Sequence, residues 1–177
     1  MEFVHLHCHS AYSLLDGATK VEDLVASVED MGMNAVALTD HGYMYGIPEF
    51  YKECKDKGVK PIIGFEAYFV PDAQKAKENK EKNRFHQILI AKNNKGLENL
   101  NHIASYAATK GFYYKPLADF KTLKKYSEGV IATSSCLNGI ISQAILSKDL
   151  DRARELTEWF LDVFQDRFYF EVHDHHI

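Results

Sequence analysis

The chain has 177 residues, 46% of them hydrophobic and 26% charged, so it is long enough to bury the core of one domain. Its formal net charge of −4, with no basic tail, excludes strong binding of nucleic acid through charge alone. Three cysteines without disulfide-framework spacing favour a reducing compartment. The sequence shows no signal-peptide pattern, and no apolar run approaches the ~20 residues of a membrane span. We therefore expect a cytoplasmic protein without a membrane partner.

Strand-like and helix-like segments alternate in the first half of the chain. A strand is predicted over 2–8, and a helix from Thr19, where Glu22 completes a capping box, to Gly32. The next elements in chain order are a strand over 35–39, a helix over 48–57, a strand over 61–70 and a charged, aperiodic loop over 71–84, to which we assign no chemistry.

The alternation continues in the second half, and no internal repeat or interdomain linker interrupts it. The elements are, in order, a strand over 85–91, a helix over 96–109, an unassigned stretch of aromatic residues and lysines over 111–125, a strand over 129–134, helices over 139–146 and 150–164, and a strand over 167–172. This pattern predicts an α/β fold with a parallel sheet and right-handed crossovers.

Polar residues at the ends of the predicted strands decide between an open sheet and a barrel. No phosphate loop or glycine-rich dinucleotide fingerprint follows the first strand, and either would favour the open sheet. Barrel active sites instead collect residues from the carboxyl ends of many strands. Such residues are His7 and His9, Asp40 and His41, Ser135 and Cys136, and His173 to His175, with Glu66 inside the third strand. His86 fits least well, because it lies near the start of its strand.

Three histidines alternate at the amino terminus. If 2–8 is a strand, His5, His7 and His9 share one face, and two imidazoles two positions apart can hold one metal ion. A packed core has little use for three adjacent histidines, which would need hydrogen-bond partners or would repel one another when charged. The alternative is a solvent-facing edge strand with incidental histidines.

Seven dispersed residues are candidate metal ligands. Their nitrogen-rich mixture suits zinc or manganese and argues against calcium, and their number suggests two or three ions. Clustered divalent ions are typical of phosphoester hydrolysis, in which Glu66 or Asp16 could bridge two ions and His41 is a further catalytic candidate. The seven are His7, His9, Asp16, His41, Glu66, His86 and Cys136.

Each candidate also has a structural alternative. Asp16 and Gly17 could form only a turn, the sequence after Asp40 could be a strand-ending turn with a capping role, and Cys136 could be an inert buried thiol. Glu66 lies in an apolar run, where a carboxylate without a partner would be costly, so the ligand interpretation is favoured. The cluster His173, Asp174, His175 and His176 could ligate metal or fray at a terminus.

Several motifs together carry a family resemblance that covers nearly the whole chain. They are His5-Leu6-His7-Cys8-His9-Ser10, Thr39-Asp40-His41-Gly42, Gly64-Phe65-Glu66-Ala67-Tyr68 and Ser134-Ser135-Cys136-Leu137-Asn138-Gly139. These motifs resemble the PHP (polymerase and histidinol phosphatase) domain family, and within it the PHP domains at the amino terminus of bacterial DNA polymerase III alpha subunits.

The resemblance implies a distorted (β/α)7 barrel, here an incomplete barrel of about six strands over 1–177, within a longer polymerase subunit. The family pattern has nine ligand positions for two or three zinc, manganese or iron ions, and the seven candidates match seven of them. The remaining pair is an Asp-x-His that comes later than this chain extends. Asp174 and His176 have that spacing, but their surroundings match an earlier family segment, so we do not assign them to it.

The resemblance implies part of a DNA-directed DNA polymerase, a nucleotidyltransferase, whose PHP domain hydrolyses phosphodiesters as a 3′–5′ proofreading exonuclease on single-stranded DNA ends. The expected partners are DNA and the remainder of the polymerase. One alternative is a non-catalytic module that stabilises the polymerase and docks a separate exonuclease subunit. Another is a free-standing PHP phosphoesterase, against which the polymerase-type segments 92–93 and 111–114 count. Retention of the ligands favours the catalytic interpretation, and the lack of a polymerase palm excludes DNA synthesis by this chain alone.

Overall fold

Seven strands and seven helices make up the part of the chain that the computed structural model describes, residues 3–14 and 16–173. The strands are β1 (Ala35–Leu38), β2 (Lys60–Val70), β3 (Phe85–Ala91), β4 (Phe112–Tyr113), β5 (Lys115–Asp119), β6 (Val130–Thr133) and β7 (Phe168–Tyr169). The helices are α1 (Val21–Asp30), α2 (Ile47–Asp56), α3 (Ala73–Glu78), α4 (Asn94–Thr109), α5 (Phe120–Lys125), α6 (Ile140–Leu146) and α7 (Leu150–Phe164). None of these helices is long and apolar enough to cross a membrane.

The long strand β2 organises a mixed sheet. Its first four residues pair in parallel with β1, its last three pair in parallel with β5, and residues 64–69 pair with the antiparallel strand β3. Strand β6 is antiparallel to β3 and parallel to β7, while β4 forms a short hairpin with β5. The sheet does not close, and an apolar groove of about 560 Å³ is bordered by Leu6 and Tyr169. The α/β class and the incomplete barrel are confirmed, but the prediction of an all-parallel sheet is wrong.

The predicted first strand does not form within the described residues 3–9. The segment runs beside β1, where Ala37 N donates to the His5 carbonyl and Thr39 N donates to the Cys8 carbonyl, both at 2.9 Å. The two donors are two residues apart, whereas the two acceptors, His5 and Cys8, are three residues apart. This mismatch in register prevents a regular ladder of hydrogen bonds between the segment and β1.

Two local predictions around the first half of the chain are also wrong. Helix α1 begins at Val21 rather than Thr19, and its N-cap Lys20 makes no side-chain capping bond. The supposed loop 71–84 contains α3, because the Asp72 side chain accepts a hydrogen bond from Lys75 N at 3.1 Å and two alanines of the helix are buried. The unassigned stretch 111–125 forms β4, β5 and α5.

Packing of one face of β2 into the main core determines which of its side chains lie on the other face. Phe65, Ala67 and Phe69 are buried against α4 and α7, and each phenylalanine contributes roughly 1.5–3 kcal/mol by leaving water. Because side chains alternate across a strand, Glu66 and Tyr68 point to the other face. The core thereby positions the carboxylate around which the candidate site is built.

Candidate metal centre

Glu66 lies at the centre of four imidazoles and is only 1% exposed. Its Oε1 lies 3.3 Å from His7 Nε2 and 3.2 Å from His86 Nδ1. Its Oε2 lies 3.2 Å from His9 Nε2 and 2.8 Å from His41 Nδ1. Four of the seven candidate ligands thus surround a fifth, the buried carboxylate of Glu66.

The surrounding imidazoles keep this carboxylate ionised. Burial by itself would raise the pKa of Glu66, but the close contacts with His41, His7, His86 and His9 outweigh it and hold the pKa far below its ordinary value. A buried carboxylate whose ionised form is favoured in this way is a strong site for cations.

The histidines reach Glu66 from three parts of the fold. His7 and His9 come from the segment beside β1, while His41 lies three residues after the end of β1 and pairs with Glu66 as an isolated parallel bridge. His5 does not join them: it is exposed, and its ring packs edge-on against Phe3 at 4.8 Å. The prediction that His5 shares the face of His7 and His9 is therefore wrong, because the segment is not a regular strand.

His86 reaches the site because β3 runs antiparallel to β2. Its backbone pairs with Tyr68, two positions from Glu66, so the start of β3 lies beside the end of β2. The position of His86 near the start of its strand counted against it only while the sheet was expected to be parallel.

Asp16 lies at the outer side of the centre. Its Oδ2 is 2.5 Å from His41 Nε2, and its side chain is 57% exposed. The turn interpretation holds as well, since Gly17 N donates to the Ser13 carbonyl at 2.8 Å. A Cβ at Gly17 would lie 1.9 Å from the Ser10 carbonyl oxygen, so this tight turn requires glycine. The turn places Asp16 next to His41.

The buried Asp40 holds this turn, a role that sequence reasoning missed. Its carboxylate accepts hydrogen bonds from Ser10 N at 2.6 Å, from Ser10 Oγ at 2.8 Å and from Ser13 Oγ at 2.8 Å. The proposed capping role is wrong, because α2 has Gly46 as its N-cap and no side-chain capping bond. The short polar side chains near 10–13 were the only sequence signal for this network.

Cys136 lies at the edge of the centre. Its Sγ is 3.7 Å from His86 Nδ1 and 3.8 Å from Glu66 Oε1. Burial would raise the pKa of this thiol, but the His86 imidazole and a backbone hydrogen bond outweigh it and lower the pKa. The preceding Ser135 has φ 60°, a left-handed conformation, and donates its hydroxyl to Glu66 Oε1 at 3.2 Å. Such strain is typical of functional positions.

Glu171 is a further acidic residue that was not among the predicted ligands. Its Oε1 lies 2.6 Å from His7 Nδ1 and 2.5 Å from His173 Nε2, and its Oε2 accepts from Thr133 Oγ1 at 2.7 Å. Burial raises the pKa of Glu171, but these contacts outweigh it and lower the pKa to about 2. His173 of the predicted terminal cluster therefore adjoins the centre, whereas Asp174, His175 and His176 lie outside the described residues.

Two buried atoms indicate that this donor set fits a metal ion. His41 Nδ1 and Glu66 Oε2 form an ion pair at 2.8 Å, but neither atom has a hydrogen bond of good geometry within the described residues. Such atoms are costly unless a cation lies between or beside them. Four overlapping triplets place ligand atoms within 4.8 Å of one another: His7/His9/Glu66, His9/Asp16/His41, His41/Glu66/His86 and His7/Glu171/His173.

The sequence matches the PHP domain family over residues 5–175. DNA polymerase III subunit alpha of Borreliella burgdorferi and that of Chlamydia pneumoniae are each 45% identical over 177 residues. These matches cover 99% of this chain but only 15% and 14% of those relatives, so the chain spans about one seventh of their length.

Among solved structures, the fold is similar to a protein from Bifidobacterium adolescentis that is inferred to be a metal-dependent phosphoesterase. The TM-score is 0.50 at 13% identity, and the match covers 90% of this chain and 83% of the other. This likeness confirms the fold.

Proposed function

The chain belongs to the PHP domain family, and from this premise and the geometry of the centre we propose that it binds a cluster of two or three divalent metal ions and hydrolyses phosphodiesters. The observation that carries the proposal is the buried Glu66, 1% exposed and in contact with four imidazoles. A structural ion pair would need one such partner rather than four.

The ligands we propose are the seven predicted from the sequence: His7, His9, Asp16, His41, Glu66, His86 and Cys136. Zinc, manganese or iron suits these nitrogen, oxygen and sulfur donors. When bound, such ions lower the pKa of a water and stabilise the negative charge that develops on phosphate oxygens.

Glu66 would bridge two ions, since its two oxygens face different imidazole pairs: Oε1 faces His7 and His86, while Oε2 faces His9 and His41. Asp16, which is more than half exposed, is the carboxylate best placed to exchange a proton with substrate or solvent through the open side of the centre.

Glu171 would orient a ligand rather than bind metal itself. Its carboxylate holds the Nδ1–H of His7 at 2.6 Å, which leaves His7 Nε2 free on the side of Glu66. Carboxylates that fix the tautomer of a ligating histidine are common around protein metal sites. The hydroxyl of Thr133 fixes the other oxygen of Glu171.

The similarity to the much longer alpha subunits supports a finer proposal. The chain would be the PHP domain of a cytoplasmic, DNA-directed DNA polymerase subunit, and its hydrolysis would act as a 3′–5′ exonuclease on single-stranded DNA ends. Because the isolated chain has a net charge of −4, we expect it to hold DNA weakly and to act more strongly within the longer protein.

Hydrolysis of bis(p-nitrophenyl) phosphate, a generic phosphodiester, tests the activity. We expect weak hydrolysis that manganese or zinc stimulates and that Glu66→Gln abolishes, while Glu158→Gln on the exposed surface of α7 leaves it unchanged. In the full-length subunit the same comparison uses a labelled single-stranded primer. If wild type and Glu66→Gln degrade that primer equally slowly, the catalytic proposal is wrong, and a module that stabilises the polymerase and docks a separate exonuclease is the better account.

A further inference from the structure

A strip of cations and tyrosines borders the metal centre at Tyr68. The half-buried Tyr68 ring stacks on His41 with centroids 5.7 Å apart and meets His86 edge-on at 5.8 Å. On the same ring lie Lys115 Nζ, 5.2 Å from its centroid, and the Arg84 guanidinium, at 5.8 Å. One aromatic ring thus contacts both two cations and two of the proposed ligands.

The strip continues outward from Tyr68 to a second cation–tyrosine pair. Lys82 Nζ lies 4.7 Å from the centroid of the Tyr114 ring, and Tyr114 directly precedes Lys115 in the chain. Among residues 3–14 and 16–173, none of Lys82, Arg84 and Lys115 has a carboxylate within ion-pair distance. These three cations are therefore available to a negatively charged ligand.

Tyr114 is exposed and lies at a strained turn of the backbone. Tyr113 pairs with Lys115 across the β4–β5 hairpin, so Tyr114 alone makes the turn, with φ 57°. A bulky residue in the left-handed region is an outlier where glycine or asparagine would be comfortable. Tyr114 is 62% exposed, and its ring lies beside Lys82.

The backbone of Gly42 comes close to the Tyr68 end of the strip. Gly42 has φ 72°, and a Cβ there would lie 2.8 Å from Pro116 and 3.1 Å from Tyr68. A side chain at position 42 would therefore displace the Tyr68 ring or Pro116.

We propose that Lys82, Arg84, Lys115 and Tyr114 bind a single-stranded nucleic acid and guide its end to the metal centre, an inference that rests on the proposed function. Grooves that hold single strands combine cations along the phosphates with aromatic rings on which bases stack. The strip supplies both, in alternation, and leads to the ring that packs on His41. An acidic protein segment would use the cations but not the exposed tyrosine.

Anisotropy of a short fluorescein-labelled oligothymidylate tests the strip in the 177-residue chain, with chelator present so that no hydrolysis occurs. Each phosphate contact with a single strand contributes about 0.7 to the slope of log affinity against log salt concentration. The triple variant Lys82→Gln, Arg84→Gln, Lys115→Gln should therefore lower that slope by about 2. The control pair Lys124→Gln, Lys125→Gln on α5 should retain the wild-type slope.

Variants of Tyr114 distinguish the contribution of base stacking to affinity from that of charge. Tyr114→Leu should weaken binding at least about fivefold with no change in salt slope, and Tyr114→Phe should bind as wild type does. If the triple variant melts at a lower temperature than wild type, the double variant of the exposed Lys82 and Lys115 replaces it, with an expected fall in slope of about 1.4.

Any of three results would contradict the proposed binding role of the strip. They are no binding of the oligothymidylate by wild type at low salt, an unchanged salt slope in the triple variant, and binding of a polyglutamate peptide as tight as that of the oligothymidylate. Because strand binding is read without metal, its outcome is separable from that of the proposed function. A protein that binds the strand through the strip but hydrolyses nothing would refute hydrolysis alone.

Discussion

Glu66 and His86 are diagonal neighbours on adjacent antiparallel strands, with His86 Nδ1 3.2 Å from Glu66 Oε1. Residues at diagonal positions of such a pair share one face of the sheet. The direction of β3 therefore determines whether the centre can form. A parallel β3 would carry His86 to the opposite end of the sheet.

Metal removal should destabilise the protein, because the ligands come together only in the folded state. Metal at about 100 times its Kd contributes about 2.7 kcal/mol, and for a chain of this size chelation should lower the melting temperature by roughly 5–10 °C. His9→Ala should reproduce part of this loss, whereas His102→Ala on the exposed face of α4 should not. Thermal melts followed by circular dichroism check this. Superimposable curves with and without chelator would count against a formed cluster.

The effect of metal on stability should increase with pH. Burial lowers the pKa of His7, but Glu171 and Glu66 outweigh this effect and raise the pKa to about 10. Burial likewise lowers the pKa of His86, but Cys136 and Glu66 outweigh it and raise the pKa to about 9. Stabilisation from these charged imidazoles is fully present below the unfolded pKa of 6.5 and is lost as pH rises through 9–10.

Metal binding has the opposite dependence, since it requires neutral imidazoles and releases protons. The difference in melting temperature between metal-loaded and chelated protein should therefore widen between pH 7 and pH 9. Glu171→Gln removes a partner that raises the pKa of His7, so the widening should shrink in that variant. A difference that stays constant or narrows with pH would contradict this assignment of protons.

Asp40 should matter for stability although it is not a proposed ligand. Asp40→Ala leaves the two donors of the buried Ser10 without an acceptor and removes one partner of the Ser13 hydroxyl, so it should lower the free energy of unfolding by about 3 kcal/mol. Asp149→Ala, which removes only the exposed N-cap of α7, should cost about 1 kcal/mol. Urea denaturation measures both, and equal losses would show that the Asp40 network has no special weight.

Local patterns predicted which side chains come together better than they predicted the sheet. His7, His9, His41 and Glu66 could be found from sequence because each stands beside or within an apolar run, where a polar side chain needs a partner. The direction of β3 could not, because the alternation of side chains is the same in parallel and antiparallel strands.

Long-range pairing explains the remaining misses. Glu171 reaches His7 only because β7 pairs with β6, which places Thr133 beside Tyr169 and brings Glu171 N onto the Ser134 hydroxyl. Asp40 acts through Ser10 and Ser13, which precede it by 30 and 27 positions in the chain. Strand β4 has two residues, too few for any periodicity to be read.

Metal content is the most direct test of the central claim that Glu66 organises a metal centre. Mass spectrometry of protein purified without chelator should find at least one zinc, manganese or iron ion per wild-type chain, and clearly less in Glu66→Gln, while Glu158→Gln matches wild type. A wild-type protein that is folded, free of metal and unable to take up metal on reconstitution would contradict the account.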